Sequence, residues 1–478
     1  MAVAAVASRM IKREKVFSLL KAIRFAINAA MFNRNNFWYL SKSKLLNHHM
    51  KFFSVVSSAI AFFCISCTLN AQINPNKIYA ANIHTVRLHM YGDAESMPVY
   101  KLNSGDRLEL HFDDLDARVK SYYYTYQLCD YNWKPVNIST FDYIKGFTQQ
   151  RIANYRYSSI AFTRYTHYQA VLPDNNSLPT KSGNYLLKVF LDGDTSKTIF
   201  TRALLVLDSK ASVGAQMVQP FTPQYFKTHQ RLKFNVNIES LNSFNASQQI
   251  KVKVLQNYRW DNAMGNVPPT FVRGNSLEYN SENNFVFPGG KEWRWLDLRS
   301  LRLLSERVDS ANNKKNTVDI YVKPDIDRNA QKYVYYQDLN GLYLCTTYET
   351  INPYWQGDYA TTHFKFITPT QIPYANKELY LMGDVTDYQL TDANKMVFNE
   401  AKGWYEGTQF LKQGYYSYGY KLVDKSDPNQ VTDLEGNYWE TENIYTILVY
   451  YKSFTDQSDQ LIGIAKISTR TDRPGFSF

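Results

Sequence analysis

From Ile78 onward the chain runs in short stretches in which apolar and polar positions alternate with period two. These stretches are rich in Tyr, Val, Phe, Ile and Thr and are cut by Asn, Asp, Gly and Pro. Successive side chains of an extended chain point to opposite faces, so this alternation predicts strands with one face in a core and the other toward water. Strands are expected over 85–91, 107–112, 121–127, 185–191, 203–207, 231–238, 250–255, 317–322, 333–336, 342–347, 378–381, 415–422 and 445–451. Many short strands between turn residues, with no sustained 3.6-residue period beyond the leader, predict an all-β protein of sandwich architecture. The stretch 295–308 is the exception, because its leucines at 296, 298, 301, 303 and 304 fit a short helix as well as a strand.

The pattern pauses twice, at a small polar linker over 209–214 and at a stretch with two prolines over 368–374. Domains are therefore expected at 78–210, 211–368 and 369–478. Three domains also suit a chain of 478 residues at roughly 150 residues per domain.

Charge changes the picture only at the N-terminus. The formal net charge is +11, but residues 1–50 hold nine Lys/Arg against the single acid Glu14, and from residue 52 onward 44 basic face 42 acidic residues. That balance supplies no basic field for nucleic-acid binding. Met50 and Lys51, followed by the apolar run 52–66, have the layout of a secretory signal peptide over 50–71 with cleavage after Ala71. The run is shorter than the ~20 apolar residues a membrane helix needs. Residues 1–49 then form a non-native or dispensable extension ahead of the start. Cys64-Ile-Ser-Cys67 resembles a lipobox with the wrong residue three before the cysteine, which makes lipidation at Cys67 the alternative. Only Cys129 and Cys345 remain after processing, too few for a disulfide framework or a cysteine zinc site.

Candidate chemistry is sparse. Beyond the leader the histidines are His84, His89, His111, His167, His229 and His363. Of these, His84 and His89 alone approach the spacing of a metal pair. Five apart on one strand, they face opposite sides and cannot share an ion without a bulge, so structural roles are expected. The sequence contains no H-E-x-x-H, G-x-S-x-G, phosphate-cradling loop or dinucleotide fingerprint, and neither a catalytic residue nor a cofactor is expected. Asp113, Asp114 and Asp116 follow an alternating strand and are expected in a solvated turn, with a calcium loop as the alternative. The compositional anomaly is aromatic: 38 Tyr, 28 Phe and 8 Trp. Most are expected in cross-strand packing, while Trp260, Trp293, Trp295, Tyr354 and Trp355 lie next to turns and are the interface candidates. A porin-like barrel is disfavoured, because 470–478 carries charges, a proline and a glycine that would break a lipid-facing terminal strand.

Specific strings go further than composition. Cys129-Asp-Tyr-Asn-Trp-Lys-Pro135, Tyr143-Ile-Lys-Gly-Phe147, Tyr165-Thr-His-Tyr168, Ser182-Gly-Asn-Tyr-Leu-Leu-Lys-Val189 and Asp192-Gly-Asp194 resemble the first domain of the type IX secretion system plug protein family of Bacteroidota. Lys227-Thr-His-Gln230, Glu292-Trp-Arg-Trp-Leu-Asp-Leu-Arg-Ser-Leu-Arg302, Asp338-Leu-Asn-Gly341 and Asn352-Pro-Tyr354 extend the resemblance over most of the mature chain. It implies tandem Ig-like or fibronectin-like β-sandwich domains in a non-enzymatic periplasmic protein, peripherally associated with the outer membrane. Such a protein docks on the periplasmic mouth of the giant translocon β-barrel and closes it when no cargo-carrying shuttle is there. No nucleic acid, small-molecule substrate or membrane span in the mature chain is implied, and no motif assigns an interface residue.

The last domain is also similar to the early-set Ig-like domains of glycogen-binding modules, through Glu378-Leu-Tyr-Leu-Met-Gly-Asp384, Gly403-Trp404-Tyr405, Gly414-Tyr-Tyr-Ser-Tyr-Gly-Tyr-Lys421 and Gly436-Asn437. In sugar binders of that type a tryptophan follows the Gly-Asp turn. Here Val385-Thr-Asp-Tyr388 leaves only Tyr388 for stacking, and a carbohydrate-binding periplasmic or surface protein is the alternative function.

Overall fold

The computed structural model describes residues 74–472 apart from 242, 315 and 316. The expected signal segment 50–71, Cys67, residues 1–49 and the terminal residues from 473 lie outside the described residues. Regular structure is almost entirely strand, with single helical turns at Ala246–Gln249 and Pro353–Gln356, so the protein is all-β. No helix among the described residues is long and apolar enough to cross a membrane.

Strand alternation builds the first sandwich. In one sheet Lys77–Ile78, Thr198–Leu207, Gly183–Leu191, Tyr122–Cys129 and Gln150–Arg151 lie side by side; in the other the order is Ile83–Met90, Leu108–Asp114, Thr166–Leu172, Asn154–Tyr157. Leu108, Leu110 and Phe112 of one sheet meet Tyr122, Tyr124, Tyr126 and Leu128 of the other in a single core. Phe112 and Tyr168 stack with ring centroids 5.1 Å apart, and Tyr122 abuts both edge-on. Tyrosine serves in this interior because its hydroxyl can reach a polar partner at the core's edge. Tyr122 donates to Asp114, Tyr168 to the Lys120 carbonyl and Tyr185 to the Lys181 carbonyl.

The second sandwich is made from two distant pieces of chain. One sheet holds Ser212–Val218, His229–Asn237, Ser276–Tyr279 and Phe271–Arg273. The facing sheet holds Met264–Gly265, Ile250–Gln256, Ile444–Tyr451 and Gln460–Ser468. Between these pieces, strands from Arg294–Asp297 to Val431–Thr432 form one 11-stranded sheet. Leu296 at one end of that sheet and Val318 and Ile320 near the other share a core with Leu379, Leu381 and Tyr416, so the sheet folds over on itself as a third sandwich.

This pairing does not follow the boundaries expected at 211–368 and 369–478. Tyr359–Ile367 pairs with Trp404–Lys412, and Ile444–Tyr451 pairs with Ile250–Gln256. Alternation marks a strand locally and is silent about which distant strand completes its sheet. The strand expected over 333–336 is not formed; that stretch runs as irregular chain, with Tyr333 and Tyr336 donating through their hydroxyls to Glu292 and to the Trp293 carbonyl. The ambiguous stretch 295–308 is the end of the Arg294–Asp297 strand, a run of turns, and then the strand Val308–Lys314. Leu296, Leu298 and Leu301 are buried there, while Leu303 and Leu304 are exposed.

Candidate functional site

The site grows from the second face of one strand. In Leu108–Asp114 the residues Leu108, Leu110 and Phe112 enter the first core, so Glu109, His111 and Asp113 point the other way. An isolated antiparallel sandwich would leave that face in water. Here the helical turn Pro353–Gln356 and the strand Tyr359–Ile367 of the third sandwich cover it. Tyr354 stacks on His111 with centroids 3.8 Å apart and ring planes 5° from parallel.

Asp113 is the centre of this junction. One oxygen accepts from Lys412 Nζ at 2.5 Å and from the Tyr359 hydroxyl at 2.6 Å; the other accepts from His167 Nδ1 at 2.7 Å. Both ions of the Asp113–Lys412 pair are fully buried. Burial opposes ionisation of Asp113, but the Lys412 charge and the His167 hydrogen bond together hold its carboxyl below the ordinary carboxylate value. Lys412 also donates to the Tyr354 carbonyl at 2.6 Å and lies over the Tyr165 ring at 4.1 Å.

Around that pair the first and third sandwiches are stitched by backbone and carboxylate contacts. Asp358 accepts from the backbone N–H groups of Phe162 and Thr163 at 2.8 and 3.0 Å, and the Tyr165 hydroxyl donates to the Gly357 carbonyl at 2.7 Å. Arg87 pairs with Asp384, and Arg202 pairs with Asp387. The first and second sandwiches meet where Trp133 and Trp260 pack edge to face at 4.7 Å, with Lys253 Nζ donating to the Tyr131 carbonyl at 2.9 Å.

Two expectations about this region are corrected. Asp113 and Asp114 are not in a solvated turn but buried within the strand, Asp114 being held by Lys120 at 2.8 Å and by the Tyr122 hydroxyl at 3.0 Å. His84 and His89 do share a face, because a bulge between His84 and Arg87 inserts an extra position and sets His84 opposite Asp113 and His89 opposite Glu109. Thr85, in the bulge, has φ 53°, and its hydroxyl lies 2.6 Å from the Tyr359 hydroxyl. The two histidines stay four register positions apart, about 13 Å along the strand. The imidazole that comes close to His89 is His111, and His89, Glu109 and His111 are the residues able to hold a metal ion among the described residues. Glu109-x-His111 on one strand was the available signal, but its register against His89 was not visible in sequence.

The interface candidates do not form one surface. Tyr354 and Trp355 come together at the junction, where the Arg156 guanidinium lies over the Trp355 ring at 4.7 Å. Trp260 is only 5% exposed, so it is a core residue and cannot present itself to a partner. Trp295 is half-buried, stacked beside Tyr415 on the third sandwich. Trp293 is pressed against Gly341, where any Cβ would come within 2.9 Å of the indole, and meets Tyr388 at 5.9 Å. The Tyr388 ring has Trp293 against it and the Arg259 guanidinium 4.9 Å over it, and its hydroxyl is buried. A sugar cannot stack there without displacing both. A cavity of about 450 Å³ beside Trp293 is lined in part by charges already paired with one another, Arg259 with Asp261 and Arg328 with Glu435, each at 2.7 Å.

What the sequence analysis missed is an exposed hydrophobic edge. Asn154–Tyr157 ends its sheet with all four residues exposed, and Tyr155 and Tyr157 stand on one face of it with rings 6.2 Å apart. Ile160 and Phe162 follow in the next loop at 75% and 60% exposure. The signal was the string Asn154-Tyr-Arg-Tyr157 with no apolar partner positions, which reads as an edge rather than a core strand.

Comparison with known proteins bears on the same segment. Residues 83–208 match the profile of the family described as Type 9 secretion system plug protein 1st domain. The crystal structure of a hypothetical protein from Parabacteroides merdae matches with TM-score 0.78 and 26% identity, over 82% of this chain and 98% of that chain. Trypsin-activated alpha-2-macroglobulin from Escherichia coli aligns at 8% identity over 84% of this chain and 30% of its own, and its TM-score of 0.16 carries no argument. No curated protein matches. The segment 83–208, which holds the buried Asp113, the stacked rings of His89, His111 and His167 and the exposed edge, is the part of the chain that matches the first domain of the type 9 secretion system plug proteins.

Proposed function

We propose that this protein is the plug subunit that docks on the periplasmic mouth of the type 9 outer-membrane translocon barrel and closes it when no shuttle is bound. The observation that carries this reading is the family match over residues 83–208. The protein acts as a rigid, non-enzymatic body in the periplasm, peripherally attached to the outer membrane through the barrel. The signal-peptide layout of 50–71 supports that location.

The architecture suits the task. A plug must not shear under load, and the first sandwich is locked to the third by a fully buried ion pair and to the second by packed tryptophans. The exposed edge from Tyr155 to Phe162 lies inside the matched segment and is the docking face in this reading. Aromatic side chains with a polar tip are suited to such an interface. The test is to tag the chain, extract outer membranes gently and identify what co-purifies. A very large barrel protein in near-equal ratio is expected, and its absence overturns the plug reading. A Tyr155→Asp, Phe162→Asp variant that keeps its thermal midpoint is expected to lose the barrel. Retention of the barrel by that variant overturns the assignment of the face.

A further inference from the structure

We propose that His89, Glu109 and His111 form a binding site for one divalent transition-metal ion of the zinc class. Strand register assembles it. His89 lies directly opposite Glu109, and His111 is two residues farther along the same face. One ligand atom from each residue lies within 4.8 Å of the others, with Glu109 Oε2 3.9 Å from His111 Nε2.

The hydrogen bonds dictate which nitrogens are available. A carboxylate only accepts, so His167 Nδ1, 2.7 Å from Asp113 Oδ1, carries the hydrogen. A neutral His167 then presents a bare Nε2, and His111 Nδ1, 3.2 Å away, must donate to it. That leaves a lone pair on His111 Nε2. His89 Nδ1 lies 2.9 Å from the Met90 carbonyl and must donate as well, which leaves a lone pair on His89 Nε2. Each of the two histidines is 2% exposed, and neither Nε2 has a hydrogen-bond partner.

Two buried imidazole lone pairs beside a carboxylate are uncompensated as they stand. A proton does not resolve this, because 3.9 Å is too long for a hydrogen bond from His111 to Glu109. A cation does. The outer contacts are those that orient a metal-bound histidine, one ring donating to a backbone carbonyl and the other to a chain that ends on the Asp113 carboxylate. Two imidazoles and a carboxylate suit zinc, whose ~2.1 Å bonds put tetrahedral ligand atoms about 3.4 Å apart. Glu109 is free to close the difference of about half an ångström to His111, since it is partly exposed and held by the Gly92 N–H at 3.3 Å, and ligand atoms up to 4.8 Å apart must draw together when the ion binds. The exposed turn at Tyr91 and Gly92 is the entry path. Arg87, on the same face, does not occupy the site because its guanidinium is committed to Asp384 and to the Ala94 carbonyl.

The test uses the full chain, stripped with a chelator and titrated with Zn²⁺ by calorimetry, with Co²⁺ as a visible-absorption probe. One equivalent of Zn²⁺ is expected to bind in preference to Mg²⁺ and Ca²⁺ and to raise the thermal midpoint. His89→Gln and Glu109→Gln should each weaken Zn²⁺ binding by at least the ~10–100-fold that loss of an outer partner costs. Glu109→Gln, on a partly exposed side chain, should keep the metal-free midpoint, so its loss of binding cannot be misfolding. Absence of Zn²⁺ uptake by the stripped chain, or unchanged affinity in both variants, overturns the site.

Discussion

Replacing Lys412 with methionine should cost about 3–5 kcal/mol of folding stability, the magnitude for stranding one partner of a buried pair. Methionine keeps the apolar volume that lies against Tyr165 and Tyr359, so the loss is not that of a cavity. What remains is a fully buried Asp113 whose other donors, His167 and the Tyr359 hydroxyl, bring no net charge. The carboxylate then stays ionised without its cation or takes up a proton. From an ordinary carboxylate pKa, protonation at neutral pH costs roughly 4 kcal/mol, which agrees with the first figure. Asp113→Asn should cost a similar amount, because it strands the buried ammonium. In the double variant neither charge is left, so its cost should fall below the sum of the singles by at least about 2 kcal/mol. Urea unfolding followed by tryptophan fluorescence, with midpoints compared at constant slope, measures all four proteins. Additive costs, or a Lys412→Met cost below about 1 kcal/mol, would refute the reasoning.

Stability should also depend on pH below neutrality, through two sets of buried groups with opposite signs. Burial holds His89, His111 and His167 below the ordinary 6.5, so the unfolded chain takes up protons the folded one refuses, and stability drops as pH goes below that value. Burial also pushes Asp338 up to about 7 despite the N–H groups of Asn340 and Trp293, so the stabilisation it provides when protonated is lost progressively as pH rises from the ordinary carboxylate range to about 7, opposing the histidine slope there. Urea midpoints from about pH 4 to 8 separate the two, because Asp338→Asn removes the opposing contribution and should steepen the loss of stability on acidification; an unchanged slope in that variant contradicts the assignment. Trp260→Ala should cost about 3–5 kcal/mol through the cavity left against Trp133 while leaving barrel co-purification of the surviving folded protein intact. The chain should pass a glucan column unretarded, and retention that Tyr388→Ala abolishes would restore the carbohydrate reading.

Much of the fold was legible because strand period is a local property. Leu108, Leu110 and Phe112 announce a core face within a few residues, and the tyrosines of Tyr122–Cys129 do the same for the facing sheet. The family strings lay in the same region, and the exposed edge was written in Asn154-Tyr-Arg-Tyr157, although it was not recognised there. Trp260 was misjudged for a physical reason. Proximity to a turn does not say whether the turn meets water or, as here, a neighbouring sandwich.

The sequence alone thus determined which residues would form strands, which face of each would be apolar, and that the fold would be all-β. Tertiary structure decided what lay against the polar faces. Asp113 meets Tyr359 across 246 positions of chain and Lys412 across 299, and only that approach turns an apparently solvated acidic run into a buried ion pair. Strand pairing likewise brought Ile444–Tyr451 back to complete a sandwich begun some two hundred residues earlier. The bulge at Thr85 set His84 and His89 on one face, and the register beyond it placed His89 beside Glu109. Pairing, register and burial depend on long-range contacts whose closure the local period does not encode.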